Sequence, residues 1–117
     1  MRVIVAGSRS IRDRRVVEKV IAESEFDISE LVSGGAKGVD RLAEDWANAS
    51  GVAVRMFRPD WHRFRRGAGL VRNREMAAYA DALVAIWDGE SRGTGHMIEA
   101  MRARRKPVHV GVVLVTA

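Results

Sequence analysis

The sequence predicts a three-layer α/β domain, a five-stranded parallel sheet of order 3-2-1-4-5 with helices on both faces. Three observations predict it. Short apolar, β-branched runs recur along the chain, and segments with helical apolar spacing lie between them. Glycine-rich turns follow several of the runs, as tight strand-to-helix connections require. Right-handed crossovers then place helices on either side of a parallel sheet. A chain of 117 residues is expected to form one domain, residues 1–117, with no room for separate cofactor and substrate domains.

Each element follows in order. Arg2 to Ala6 is the first strand, broken at Gly7, and the first helix carries Val16, Val17, Val20 and Ile21 on one stripe. Glu30 to Ser33 is the second strand. It ends in Gly34-Gly35-Ala36-Lys37-Gly38, before a helix with Val39, Leu42, Ala43, Trp46 and Ala47 on one face. Val52 to Phe57 is the third strand, with Pro59 marking its end. A connection from Asp60 to Gly69 leads to a third helix, opened by Arg72 and Asn73, with Asn73, Met76, Ala77 and Ala80 inward. Ala82 to Trp87, a loop from Asp88 to Gly93, a helix from Thr94 to Arg105 and a strand from Pro107 to Leu114 complete the pattern.

Composition narrows the function classes. The absence of cysteine removes disulfides, thiol nucleophiles and thiolate metal sites, and fits a cytoplasmic protein. No apolar run approaches the ~18 residues of a membrane span, so no membrane partner is expected. The net charge of +5 favours anionic partners. Arginines cluster at Arg12, Arg14 and Arg15, at Arg63, Arg65 and Arg66, and at Arg102, Arg104 and Arg105 with Lys106. The last cluster ends a helix, where cations complement the macrodipole, and the first is expected on a solvated face.

In open parallel sheets the ligand site lies beyond the carboxyl ends of the strands, where strand order reverses, here between strands one and four. Glycines there allow close backbone approach, and helix N-termini add unpaired donors. Three loops have this character: Gly7-Ser8-Arg9; Ser33 with Gly34, Gly35, Ala36, Lys37 and Gly38; and the loop through Ser91, Arg92, Gly93 and Thr94. On one sheet edge they form one anion site. Neither the P-loop spacing nor the dinucleotide fingerprint fits them, which disfavours a nucleotide triphosphatase or an ordinary dehydrogenase.

These motifs, with Val5-Ala6 before the first loop, Val39-Asp40 after the second, Pro59-Asp60-Trp61, Gly67-Ala68-Gly69, Arg72-Asn73, Met76 and Trp87-Asp88-Gly89, resemble the YspA, cpYpsA-related SLOG family. The resemblance spans nearly the whole chain. It implies a Rossmann-like fold and binding of a nucleotide or nucleotide derivative, NAD-like, ADP-ribose-like or a nucleoside monophosphate, with pairing into a homodimer. Arg72-Asn73-Arg74-Glu75-Met76 followed by Gly93-Thr94 is also similar to LOG-type phosphoribohydrolases, which cleave a base from a nucleoside monophosphate. There an arginine and a glutamate carry the chemistry. Arg72 matches, but the positions two and three after Thr94 hold His96 and Met97, and Glu99 falls off the inward stripe.

The candidate catalytic residues are therefore Arg72, to clamp phosphate or stabilise developing charge, Asp88, to contact ribose or orient water, and His96 as acid or base. Asp40 serves either as a helix cap or as an acceptor for a ribose hydroxyl. Asn73, standing where an apolar residue is normal, needs buried partners. Trp61 is a candidate wall for a base, amid a basic connection that also fits a nucleic-acid surface, the less favoured partner. His62 and His109 lack companions at ligand spacing, so no metal site is expected, and no separate cofactor.

Overall fold

Strand β1 (Arg2–Gly7) occupies the centre of the sheet, and its side chains explain why. Val3 and Val5 pack into one apolar layer while Ile4 packs into the other, and all three are fully buried. A strand covered on both sides has no need of polar alternation. Burial of each such side chain contributes about 1.5–3 kcal/mol.

The computed structural model describes residues 1–114. After β1 come α1 (Arg14–Ser24), β2 (Glu30–Ser33), α2 (Val39–Ser50), β3 (Ala53–Met56), a short α3 (Trp61–Phe64) and a 3₁₀ turn (Arg65–Gly67). The chain continues through α4 (Ala68–Tyr79), β4 (Ala82–Trp87), α5 (Arg92–Ala103) and β5 (Val108–Val112). The sheet runs β3-β2-β1-β4-β5 and every neighbouring pair is parallel, as the sequence predicts. On one face lie α1 and α2, with Val17, Val20, Ile21, Val39, Ala43 and Ala47 packed against the strands. On the other, α4 and α5 contribute Met76, Ala77, Met97, Ile98 and Met101.

Gly7 ends β1 where three elements meet. A Cβ there would lie 2.1 Å from the Ile86 carbonyl oxygen and 2.7 Å from the Val39 side chain. Only glycine lets α2 start directly against the carboxyl ends of β1 and β4.

The structure moves some expected boundaries. The connection after β3 is not irregular throughout: Asp60 caps α3 by accepting a 3.0 Å hydrogen bond from Arg63 N–H. Because α4 begins at Ala68, Arg72 and Asn73 lie in its second turn and do not open it. The last helix starts two residues early, at Arg92, and ends at Ala103. The Lys106 backbone N–H serves the end of its own helix, donating to the Met101 carbonyl at 3.1 Å, but its side chain does not. Its ammonium group donates to the carbonyls of Ala77, Ala78 and Ala80 at 2.7, 3.2 and 2.7 Å, closing the C-terminal end of α4. Among the described residues, no helix is long and apolar enough to cross a membrane.

Candidate functional site

The strand-order reversal between β1 and β4 opens a cavity of about 440 Å³ at the carboxyl edge of the sheet. The loop after β1 lines it through Gly7, Ser8, Arg9 and Ser10, and the second loop through Ala36 and Asp40. Arg72, Asn73 and Met76 come from α4, while Ser91, Arg92, Gly93, Thr94 and Met97 come from the start of α5. Four segments far apart in sequence thus converge.

A second cavity of about 630 Å³ continues from it, sharing Arg9, Ala36, Arg72, Asn73 and Gly93. Gly34, Gly35, Lys37, Arg58, Trp61 and Arg66 line its outer part. Trp61 is 57% exposed, so much of its surface is accessible. Ser33 and Gly38 line neither space. The Ser33 hydroxyl instead donates to Glu44 at 2.6 Å and accepts from Gly35 N–H, which shapes the loop from behind.

Donors dominate the inner cavity. Ser91 sits at the N-cap of α5 yet makes no side-chain cap bond, and the first turn of that helix holds no acid. The first N–H groups of a helix have no partner within it, and Arg92, Gly93 and Thr94, which carry these groups at the positive end of the dipole, line the cavity. The start of α1 differs. Asp13 already caps it, accepting from Arg15 N–H at 3.0 Å, so the loop after β1 contributes its own backbone and Arg9 but no free helix terminus.

Arg72 is held from two sides. Its Nη1 donates to the Gly34 carbonyl at 2.6 Å and its Nε to Asn73 Oδ1 at 3.0 Å, and Nη2 takes part in neither bond. Gly34 must be glycine for this, because a Cβ would lie 2.4 Å from Nη1. Burial lowers the Arg72 pKa, nearby Arg9 adds to that, and the Asp40 charge opposes both. Asn73 finds the buried partners it needs: its amide nitrogen donates to the Gly93 carbonyl and meets His96 Nδ1, each at 3.2 Å. As Nδ1 accepts, the ring proton sits on Nε2, and burial with the charge of Arg74 keeps the His96 pKa below its ordinary value.

Asp40 is the one carboxylate lining the inner cavity. It is 5% exposed and accepts a 3.2 Å hydrogen bond from Ala36 N–H. Burial pushes its pKa up to about 6, against the Ala36 bond and the Arg72 charge.

The three candidate catalytic residues are not brought together. Arg72 lines the cavity; Asp88 and His96 do not. Asp88 Oδ1 accepts from Glu90 and Ser91 N–H at 2.9 and 2.8 Å, and its Oδ2 lies 2.9 Å from the Ser91 hydroxyl. The two backbone bonds, that from Ser91 foremost, hold its pKa down to about 2, unfit for a base at neutral pH. His96 stands behind Asn73, on the side of α5 facing Arg74 and Glu99. Ser8 joins the two loops from within: it is 1% exposed, and its Oγ accepts from Asp88 N–H at 3.0 Å and lies 3.1 Å from the Ser91 hydroxyl.

Sequence reading passed over Ser10, Met76 and Met97 as lining residues, and Arg58 and Arg66 in the outer space. Ser10 follows Ser8-Arg9 directly and was within reach of the loop argument. The methionines carry no polar signal, since a helix stripe reads the same whether it meets a sheet or a cavity.

With the geometry in place, comparison with known proteins assigns the lineage. The model of the YspA, cpYpsA-related SLOG family matches residues 1–64, more than half of the chain. The chain belongs to this family. Over 121 aligned positions this SLOG protein is 36% identical to the Gene 61 protein of Mycobacterium phage D29, covering 94% of the chain and 96% of the relative. The X-ray structure of DNA processing protein A (DprA) from Streptococcus pneumoniae has the same fold, with a TM-score of 0.77 at 22% identity. That match covers 97% of the SLOG chain and 51% of DprA, so the chain spans about half the length of that protein.

Proposed function

We propose that this protein binds a nucleotide or nucleotide-derived ligand across the two joined cavities. A phosphate sits at the start of α5, on the N–H groups of Arg92, Gly93 and Thr94, with the Arg9 and Arg72 guanidinium groups beside it. The ribose lies against Asp40, whose carboxylate accepts from a sugar hydroxyl. The base leaves through the outer cavity toward Trp61. One observation carries this reading: an uncapped helix start, the arginines Arg9, Arg72 and Arg92 and a single buried carboxylate line the same cavity at the switch point. The donors suit phosphate and the one acceptor suits a hydroxyl. Membership of a SLOG family supports the same class of ligand.

Binding, without turnover, is the reading the placement favours. Asp88 is engaged by its own loop and His96 by Asn73, so that of the three candidate catalytic residues only Arg72 lines the cavity. Thermal unfolding with AMP, ADP-ribose and NAD provides the test. A ligand at a hundred times its Kd adds about 2.7 kcal/mol, so at least one member raises Tm by several degrees. No shift with any of them contradicts the proposal. Chromatography of the incubated ligands separates binding from cleavage, since a released base shows turnover.

A further inference from the structure

The Gly34–Gly38 loop has an outer side that the nucleotide reading leaves unused. A cavity of about 520 Å³ lies there, lined by Arg12, Lys37, Arg41 and Arg58 with Glu44. The cations arrive from separate places: the loop after β1, the loop after β2, the first turn of α2 and the segment after β3. Their convergence follows from the β3-β2-β1 order, which brings the carboxyl ends of these strands side by side.

The fold offsets this cluster only in part. Glu44 is the one acid in the lining, and it also accepts from the Ser33 hydroxyl at 2.6 Å. Arg41 approaches Asp45 only to 3.9 Å, and Arg12, Lys37 and Arg58 make no ion pair among the described residues. The placement also runs against helix electrostatics. Lys37 precedes the N-terminus of α2 and Arg41 stands in its first turn, where cations face the positive end of the dipole. The one acid of that first turn, Asp40, lies in the other cavity. Four cations against one acid in the lining, two of them at a helix N-terminus, favour an anionic ligand.

We infer that this outer cavity is a second anion site, which takes a phosphate-bearing group as a free diphosphate or as part of a single-stranded nucleic-acid backbone. It adjoins the nucleotide spaces, sharing Ala36 with the inner cavity and Gly35, Ala36, Lys37 and Arg58 with the one that leads to Trp61, while Arg12, Gly38, Arg41 and Glu44 line it alone. Because the loop forms a wall of both spaces, one short segment meets phosphate on its two sides.

The test uses amide NMR titrations with inorganic pyrophosphate and with single-stranded octathymidylate. Arg12 and Arg41 line only this cavity among the three and are exposed, so the double variant Arg12→Ala/Arg41→Ala leaves the fold and the AMP response intact. The expected result is a shift of the Gly38 and Arg41 amides, which line only this cavity of the three, with at least one probe, weakened tenfold or more in the double variant. Tighter binding of pyrophosphate assigns a free anion, and tighter binding of the oligonucleotide assigns a backbone. Amides that move with neither probe, or an affinity unchanged in the double variant, overturn the site. AMP titration of the same samples reports the nucleotide cavity independently.

Discussion

Two aspartates stand at the same sheet edge and have opposite fates. Asp88 follows β4 and gives its carboxylate to its own loop, accepting from Glu90 and Ser91 N–H. Asp40 begins α2 and is buried beside Arg72 in the inner cavity, where it accepts from Ala36 N–H at 3.2 Å. Hydrogen bonds favour the charged form of the first, while burial disfavours that of the second. One carboxylate is committed to the shape of its own loop; the other is buried in a cavity, where the proposed ligand hydroxyl would donate to it.

The two predict opposite pH behaviour. The Asp40 pKa is raised from 3.8 to about 6, so the folded state holds the extra proton between those values. Its contribution to stability therefore falls as pH rises from about 4 to about 6 and is constant above. Asp40→Asn removes that loss. The variant should match the wild type near pH 4 and exceed it by about 2–3 kcal/mol at pH 7 in urea unfolding. A stability difference that does not change with pH breaks the comparison. The Asp88 pKa is lowered to about 2, so its contribution is present above about pH 4 and is lost as pH falls from there. Asp88→Ala should lower Tm by several degrees at pH 7, and the two melting curves should converge toward pH 2.

Smaller effects sharpen the division between fold and site. Lys106→Met removes the three bonds to the end of α4 and should cost about 1 kcal/mol with AMP affinity unchanged, measured by denaturation and calorimetry. A change in affinity would tie the far end of α4 to the site. Gly93→Ala has the smallest expected effect on the fold. No atom lies within 4 Å of the added Cβ, and stability should move by less than about 1 kcal/mol. Phosphate affinity should nevertheless fall about tenfold, because the methyl group crowds the backbone that anions approach.

Strand order and helix faces were legible because both rest on periodicity. Val3, Ile4 and Val5 read as a strand buried on both sides, and Met97, Ile98 and Met101 as one stripe, and they are so. The convergence of the loops followed from that topology. The roles of individual side chains did not. Asp88-Gly89-Glu90-Ser91 carries a signal for a self-bonded turn, an Asp followed by Gly, that would have demoted Asp88. Asp60 three residues before Arg63 likewise announces the cap of α3. Other features lie beyond local reading. Lys106 closes a helix that ends 27 positions earlier, at Tyr79, and the Gly34 carbonyl meets Arg72 across 38 residues.

The central claim is that a ligand phosphate meets the start of α5. Amide NMR titration with AMP tests it most directly. Shifts centred on Arg92, Gly93 and Thr94, extending to Gly7 and Arg9 and weakened by Gly93→Ala, are the predicted result. AMP binding that leaves these amides unmoved contradicts it.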